Sequence, residues 1–184
     1  MRTSFVLIRH AESPWSEDDA RSLSPDGRLA AEALADRLDG IALDAIYSSP
    51  YRRALQTVAP LAQRRGLDVQ ELFDIRERTL GAFPGESFED ALAATWSQFD
   101  LCYTGGESSR AAQQRGLEVI RALAGRHRSQ TVALSTHGNL LALLLNVFDP
   151  RVDFAFWRSL TFPDVFELQV SPTGQGVFCR IGQP

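Results

Sequence analysis

The chain of 184 residues is 44% hydrophobic, carries a net charge of −4 and contains two cysteines and three histidines. That length suits one domain with a sizeable core, and the acidic balance argues against the basic surface that nucleic-acid binding requires. All 19 cationic residues are Arg, with no Lys anywhere. An Arg in a candidate site is therefore weak evidence by type, and position has to decide.

The stretch Phe5 to Glu12, FVLIRHAE, sets an apolar run directly before Arg9 and His10, as a buried strand would run into a binding surface. In an open α/β sheet, ligands collect outside the carboxyl ends of the strands. The apolar run is too short for a secretory signal or a membrane span, so a cytoplasmic location without a membrane partner is expected. Glu12 is expected as a structural salt-bridge partner. Ser24-Pro25 then supplies a cap and first-turn pair for a helix over Arg28 to Leu38, which Gly40 stops. Leu43 to Tyr47 reads as a second strand that meets Ser48-Ser49-Pro50, and this β-α-β order implies a parallel sheet.

A helix over Tyr51 to Arg65 places Arg52 and Arg53 in its first turn, where the helix dipole disfavours cations by ~0.3–1 kcal/mol each. That conflict points to an anion nearby, and Pro60 marks a kink or a second segment. After a short strand, Asp68 to Leu72, comes the charged run Asp74-Ile75-Arg76-Glu77-Arg78. The segment from about 81 to 104 is rich in aromatics, namely Phe83, Phe88, Trp96, Phe99 and Tyr103. It is expected as a helical insert within a single domain over residues 1–184. A helix over Ser109 to Gly125 and a strand over Thr131 to Leu134 follow. An apolar helix over Leu140 to Val147 leaves His137 at a strand-to-helix junction. The tail, Leu160 to Val170 and Gly176 to Ile181, reads as a terminal β-hairpin.

Two of the three histidines, His10 and His137, thus stand immediately after strands. His127, between Arg126 and Arg128 at a helix end, is expected as a solvated residue. Cys102 and Cys179 are isolated and lack metal-ligand spacing.

Five segments in one order resemble the histidine phosphatases, also called the phosphoglycerate mutase-like superfamily. They are LIRHAES at Leu7 to Ser13, SSPYRRALQT at Ser48 to Thr57, IRERTLGAFPG at Ile75 to Gly85, GGES at Gly105 to Ser108 and STHGN at Ser135 to Asn139. The resemblance implies an α/β fold: a three-layer α/β/α sandwich around a mostly parallel sheet, closed by the C-terminal hairpin. It implies that His10 takes the phosphoryl group as nucleophile, that Arg9, Arg53 and His137 bind its oxygens, and that Glu77 is the general acid and base. Arg53, directly before Ala54, matches the family's pattern better than Arg52. Ser16, Arg78, Gly138 and Asn139 fall at substrate-binding positions. No metal and no other cofactor are implied, the expected partner is a small phosphorylated substrate, and a homodimer is compatible with the chain.

Elementary chemistry is consistent with these roles. Phosphoryl transfer needs positioning and neutralisation of the equatorial oxygens, which guanidinium forks supply. An imidazole attacks only when neutral, with its other nitrogen held by an acceptor such as a backbone carbonyl. A dianionic phosphate beside Glu77 would favour its protonated form.

The marks of hydrolase and mutase are mixed. Trp15, Arg78 and Asn139 resemble the cofactor-dependent phosphoglycerate mutases, whereas Ser16 replaces an Asn and Leu80 replaces a Tyr that helps hold the mutase substrate. Leu140 and Ala142 replace a Ser and an Arg after HGN, and Ala11 replaces the Gly of the usual RHG. A phosphomonoester hydrolase is therefore expected, with a mutase, or a relative that binds a phosphorylated ligand without turnover, as the alternatives. No GxSxG elbow suggests a serine hydrolase. The aromatics Phe83, Phe88, Trp96 and Phe99 are expected either as an apolar wall that favours nonpolar leaving groups or as core beneath the insert.

Overall fold

The computed structural model describes residues 2–16, 18 and 20–182. Its centre is strand β1 (Thr3–Arg9), whose residues alternate between two apolar layers: Phe5 and Leu7 join one cluster, and Val6 and Ile8 the other. That period of two is what a strand buried on both faces dictates. The chain continues through α1 (Pro25–Arg37), β2 (Ala45–Ser48), α2 (Arg52–Arg65) and β3 (Val69–Glu71). After a short 3₁₀ turn at Phe73–Ile75 come α3 (Phe88–Ser97), α4 (Ser109–Arg126), β4 (Thr131–Thr136), α5 (Gly138–Phe148), α6 (Phe154–Arg158), β5 (Asp164–Val170) and β6 (Gly176–Arg180).

The six strands lie in the order β3-β2-β4-β1-β5-β6. β1 pairs in parallel with β4, and β2 in parallel with both β4 and β3. β5 runs antiparallel to β1 and to β6. Leu34, Leu38, Val58 and Leu61 of the α1/α2 region bury against one face, and Ile120, Leu123 and the run Leu140 to Leu145 bury against the other. The three-layer sandwich with its terminal hairpin is thus the observed architecture.

Local chemistry explains most boundaries. Ser24 caps α1 by accepting from the Gly27 N–H at 2.9 Å, with Pro25 in the first turn, where a missing N–H is harmless. α2 runs unbroken through Pro60, and Gly66 ends it in the left-handed conformation at φ 61°. The apolar helix begins at Gly138, two residues earlier than its hydrophobic run, because Glu77 supplies a cap: its carboxylate accepts from the N–H groups of Asn139 and Leu140, each at 3.0 Å. These amides are among the helix's orphan donors. The hairpin begins late, at Asp164, since the carbonyls of Leu160 and Thr161 turn inward to Arg9 instead of pairing.

The segment between residues 81 and 104 is closed at its neck by a bridge between Ala82 and Thr104 and carries α3 as its one helix. Arg78 ties it down from below, donating to Ser109 Oγ at 2.8 Å and to Thr95 Oγ1 at 2.9 Å. Among the described residues no helix is long and apolar enough to cross a membrane.

Two expectations are corrected here. Glu12 is exposed and, among the described residues, forms no ion pair; its backbone carbonyl does the holding, accepting from Ser24 N–H at 3.1 Å. His127 is buried, because its ring turns inward from the end of α4 to meet Tyr47 Oη at 2.9 Å and Gln130 Oε1 at 2.8 Å. The flanking arginines suggested solvent, but the buried phenol of β2 needs a partner and the imidazole supplies it. Replacing His127 by Leu should lower stability by ~1–3 kcal/mol, the penalty of stranding a buried hydroxyl. An unchanged urea midpoint would show the pair to be dispensable.

Candidate active site

At the carboxyl ends of β1 and β4 the chain opens a cavity of about 840 Å³. Its walls bring together Arg9, His10, Ser16, Arg53, Glu77, Arg78, Gly138 and Asn139, eight residues that the sequence assigns to a site. His137 is brought close but stands behind the wall: it is fully buried, and its ring lies edge-on to His10 with 5.2 Å between centroids.

His10 leaves β1 with its N–H bonded to Thr136 O at 3.0 Å, so the parallel ladder extends to this residue. Its Nδ1 lies 2.7 Å from Ala11 O, a carbonyl that can only accept, which places the proton on Nδ1 and leaves a lone pair on Nε2. Consistently, Arg53 Nε donates to that Nε2 at 3.3 Å. The Ala11 peptide is pinned from its other side, since Ala11 N–H donates to Thr57 Oγ1 at 2.9 Å and that hydroxyl donates to Arg53 O at 2.7 Å. The Ala11 methyl, where the family pattern has Gly, is buried with Leu23 and Ala31.

His10 is 6% exposed. Burial, with the positive fields of Arg53, Arg9 and Arg21, pushes its pKa from 6.5 down to about 3, against the opposing bond to Ala11 O. Burial also drives His137 well below the ordinary value, and His10, Arg53 and Arg21 add to the shift. Both rings are therefore neutral at physiological pH.

Three guanidinium groups face this pair. Arg53, 3% exposed, enters from the first turn of α2, while Arg52 points to solvent. Arg9 is braced from behind: Nη1 donates to Leu160 O at 2.8 Å, and Cζ lies 3.4 Å from the centroid of the Phe162 ring, a cation–π contact. Burial lowers its pKa to about 10, opposed by Glu77 and Asp164, so it stays charged. A methyl group on residue 138 would come within 2.8 Å of Arg9 Nε and 2.9 Å of its Cζ, so only Gly there lets the guanidinium lie across the start of α5. Arg21 lines the same cavity, with Nη1 donating to Ser16 O. Sequence reasoning missed it, and in a chain whose cations are all Arg no local signal marks it.

Glu77 faces this positive floor. Besides the α5 amides it accepts from the Arg78 N–H at 2.9 Å. The loop carrying it is clamped by Arg115, which donates to Asp74 O at 2.6 Å and Arg76 O at 3.0 Å and pairs with Glu107 at 2.7 Å. Arg115, on α4, was also missed. Among the described residues, no carboxylate ion-pairs with Arg9, Arg21 or Arg78. An excess of positive charge along one cavity wall suits an anionic occupant.

Residues 5–176 match the model of the histidine phosphatase superfamily, branch 1. The chain belongs to that superfamily. Phosphoserine phosphatase 1 of Hydrogenobacter thermophilus is 30% identical over 147 residues, covering 72% of this chain and 70% of that protein. A 2,3-bisphosphoglycerate-dependent phosphoglycerate mutase of Bartonella bacilliformis is 27% identical over 171 residues, covering 81% and 82%. A solved mycobacterial glucosyl-3-phosphoglycerate phosphatase shares the fold, with a TM-score of 0.82 at 22% identity and full coverage of both chains. The protein is a phosphatase enzyme of the histidine phosphatase family.

The aromatics of the insert divide. Trp96 and Phe99 pack on each other in the core, at 5.7 Å between centroids, and Phe83 packs between Phe88 and Tyr103. Only Phe88 of the four expected wall residues lines the cavity. The rest of the apolar wall comes from Trp15, Tyr51, Leu80, Leu92, Trp157, Leu160 and Phe162.

The depressed pKa of His10 has two measurable consequences. Its imidazole should not titrate between roughly pH 5 and 8, so the free enzyme's kcat/KM profile should lack an ionisation from this ring there. The unfolded ring takes up a proton at its ordinary value of 6.5 and the folded one at about 3. The stability contributed by neutral His10 is therefore fully present above 6.5 and is lost as pH falls toward 3. Proton NMR of the ring tests both, and a His10 midpoint near 6.5 would contradict them.

Proposed function

We propose that the protein hydrolyses phosphomonoesters through a phosphohistidine formed at Nε2 of His10. The observation that carries this reading is the state of that ring: neutral, with its one proton held by Ala11 O and its lone pair directed at Arg53. On substrate binding, Arg53 moves its Nε donor from Nε2 to the phosphoryl oxygens, and Arg9, whose Nε is buried without a partner among the described residues, contributes a second set. Nε2 then attacks phosphorus as the ester oxygen departs with the proton of Glu77. In the second half, Glu77 takes a proton from water as its oxygen attacks the phosphohistidine, which releases phosphate and restores His10. The positive floor serves charge on the equatorial oxygens in both halves.

Hydrolysis is favoured over phosphoryl transfer between isomers because the cavity lining lacks two of the polar groups with which a mutase would grip a reorienting intermediate. Leu80 lines the cavity in place of a Tyr, and Arg78 spends two donors on Ser109 and Thr95. Acid-labile, base-stable phosphoenzyme should be trapped on rapid quenching, and His10→Ala should lose both it and activity by roughly 10⁴-fold or more. Interconversion of phosphoglycerate isomers much faster than hydrolysis would replace this reading with a mutase.

The wall also bears on the substrate. Trp15 at 80%, Phe88 at 55% and Phe162 at 46% exposure all border this one cavity, and exposed apolar groups gathered at a cleft mark a binding surface. The leaving group is therefore proposed to be bulky and apolar. Comparing 2-phenylethyl phosphate with 2-hydroxyethyl phosphate keeps the departing oxygen a primary alkoxide while changing the contact. The phenyl ester should show kcat/KM higher by roughly 10–100-fold, worth about 1–3 kcal/mol of apolar contact, and Phe88→Ala should narrow that gap. Equal efficiencies would remove the apolar assignment.

A further inference from the structure

We infer that Ser49 is a positioning residue that fixes the tautomer of His137, so that Nδ1 carries the ring's proton and offers it to the phosphoryl group at His10. The inference rests on the phosphohistidine reading for its kinetic part; its structural part stands on a count of protons at one buried hydroxyl.

Ser49 and His137 are both fully buried, and Ser49 Oγ lies 2.8 Å from His137 Nε2. The same oxygen accepts from the Tyr51 N–H at 3.2 Å. A hydroxyl has one proton to give, and among the described partners of Ser49 Oγ only Nε2 can take it. Were Nε2 the protonated nitrogen, Oγ would receive two donors, leaving its own proton without an acceptor and the Nδ1 lone pair without a donor, whereas the proton on Nδ1 leaves a single orphan, the Nδ1–H itself. With the neutral ring's proton on Nδ1, Tyr51 N–H, Ser49 O–H and Nε2 form one consistent chain.

That leaves His137 Nδ1 as a buried donor without a partner among the described residues. The rest of the junction explains why it is spare. His137 occupies the N-cap position of α5 yet makes no capping bond with its side chain, because Glu77 already holds the amides of Asn139 and Leu140. Released from capping, the ring packs edge-on between Tyr51, at 5.1 Å, and His10, at 5.2 Å. An unsatisfied buried N–H costs free energy until an acceptor arrives, and a phosphoryl oxygen on His10 is the acceptor that this cavity is charged to hold. A donor fixed before the reaction need not reorganise during it.

Long-range ¹H–¹⁵N NMR on the whole protein, with His137 assigned through a His137→Gln variant, reads the tautomer directly. Nδ1 should be pyrrole-like and Nε2 pyridine-like in the resting enzyme, and orthovanadate should shift the Nδ1 signal more than the Nε2 signal. Ser49→Ala should mix the two tautomers and lower kcat roughly 10–100-fold with a smaller change in KM, and Ser49→Thr should restore the wild-type signature. A resting His137 protonated at Nε2 overturns the inference whatever the variants do. So does a Ser49→Ala protein whose tautomer and kcat are both unchanged. If His10→Ala keeps full activity while the His137 tautomer is as stated, the phosphohistidine reading fails and the positioning role of Ser49 survives without its kinetic meaning.

Discussion

The hydrogen bond from His10 Nδ1 to the carbonyl of Ala11 decides where the only proton of a neutral ring resides, and the rest of the site depends on that choice. Its geometry is held from three directions. β4 takes the His10 amide, Thr57 of α2 takes the Ala11 amide, and Thr57 is itself fixed to Arg53 O. One short segment of α2 therefore orients the His10 ring and carries the guanidinium that faces it. A shift of α2 relative to β1 would disturb both together, which is why the buried Val58 and Leu61 matter to the chemistry although they never approach it. Close packing of this kind transmits small displacements undiminished.

The second half of the site is organised around an exchange of roles at the start of α5. The residue at a helix N-cap ordinarily supplies the acceptor for the first amides, and His137 holds that position. Here Glu77, some sixty residues earlier in the chain, caps the helix instead. The exchange fixes the carboxylate by backbone amides and, among the described residues, without a direct ion pair, and it frees the imidazole of His137 to face inward. Arg115 and Glu107 then clamp the loop that brings Glu77 there. This pair is only 12% and 19% exposed, so it is screened less than a surface ion pair and can act as a rigid strut.

Legibility in the sequence followed the distance between partners. β1 and the Ser24 cap rest on neighbours a few residues apart, and both elements appear in the structure as expected. Contacts that join remote parts of the chain left no local trace. Phe162 braces Arg9 across about 150 residues, Arg115 clamps a loop about 40 residues away, and His127 answers a phenol on β2. The absence of Lys compounded the difficulty, because a catalytic Arg and a structural Arg cannot be told apart by type when every cation is Arg. The insert shows the same limit: periodicity marks Phe88 and Trp96 alike, but only packing against α4 and α5 determines which is core and which borders the cavity.

The cavity that results is asymmetric, with guanidinium groups on its floor and aromatic rings on its walls. The asymmetry is physically economical. Aromatic rings packed beside the guanidinium groups lower the local dielectric constant, which strengthens the attraction of Arg9 and Arg53 for an anion. The Phe162 ring does both things at once, bordering the cavity and lying on the back of Arg9. Hydrophobic contact at the mouth and charge strength at the floor are thus coupled through one side chain, and any change that opens the wall at residue 162 weakens the clamp as well as the pocket.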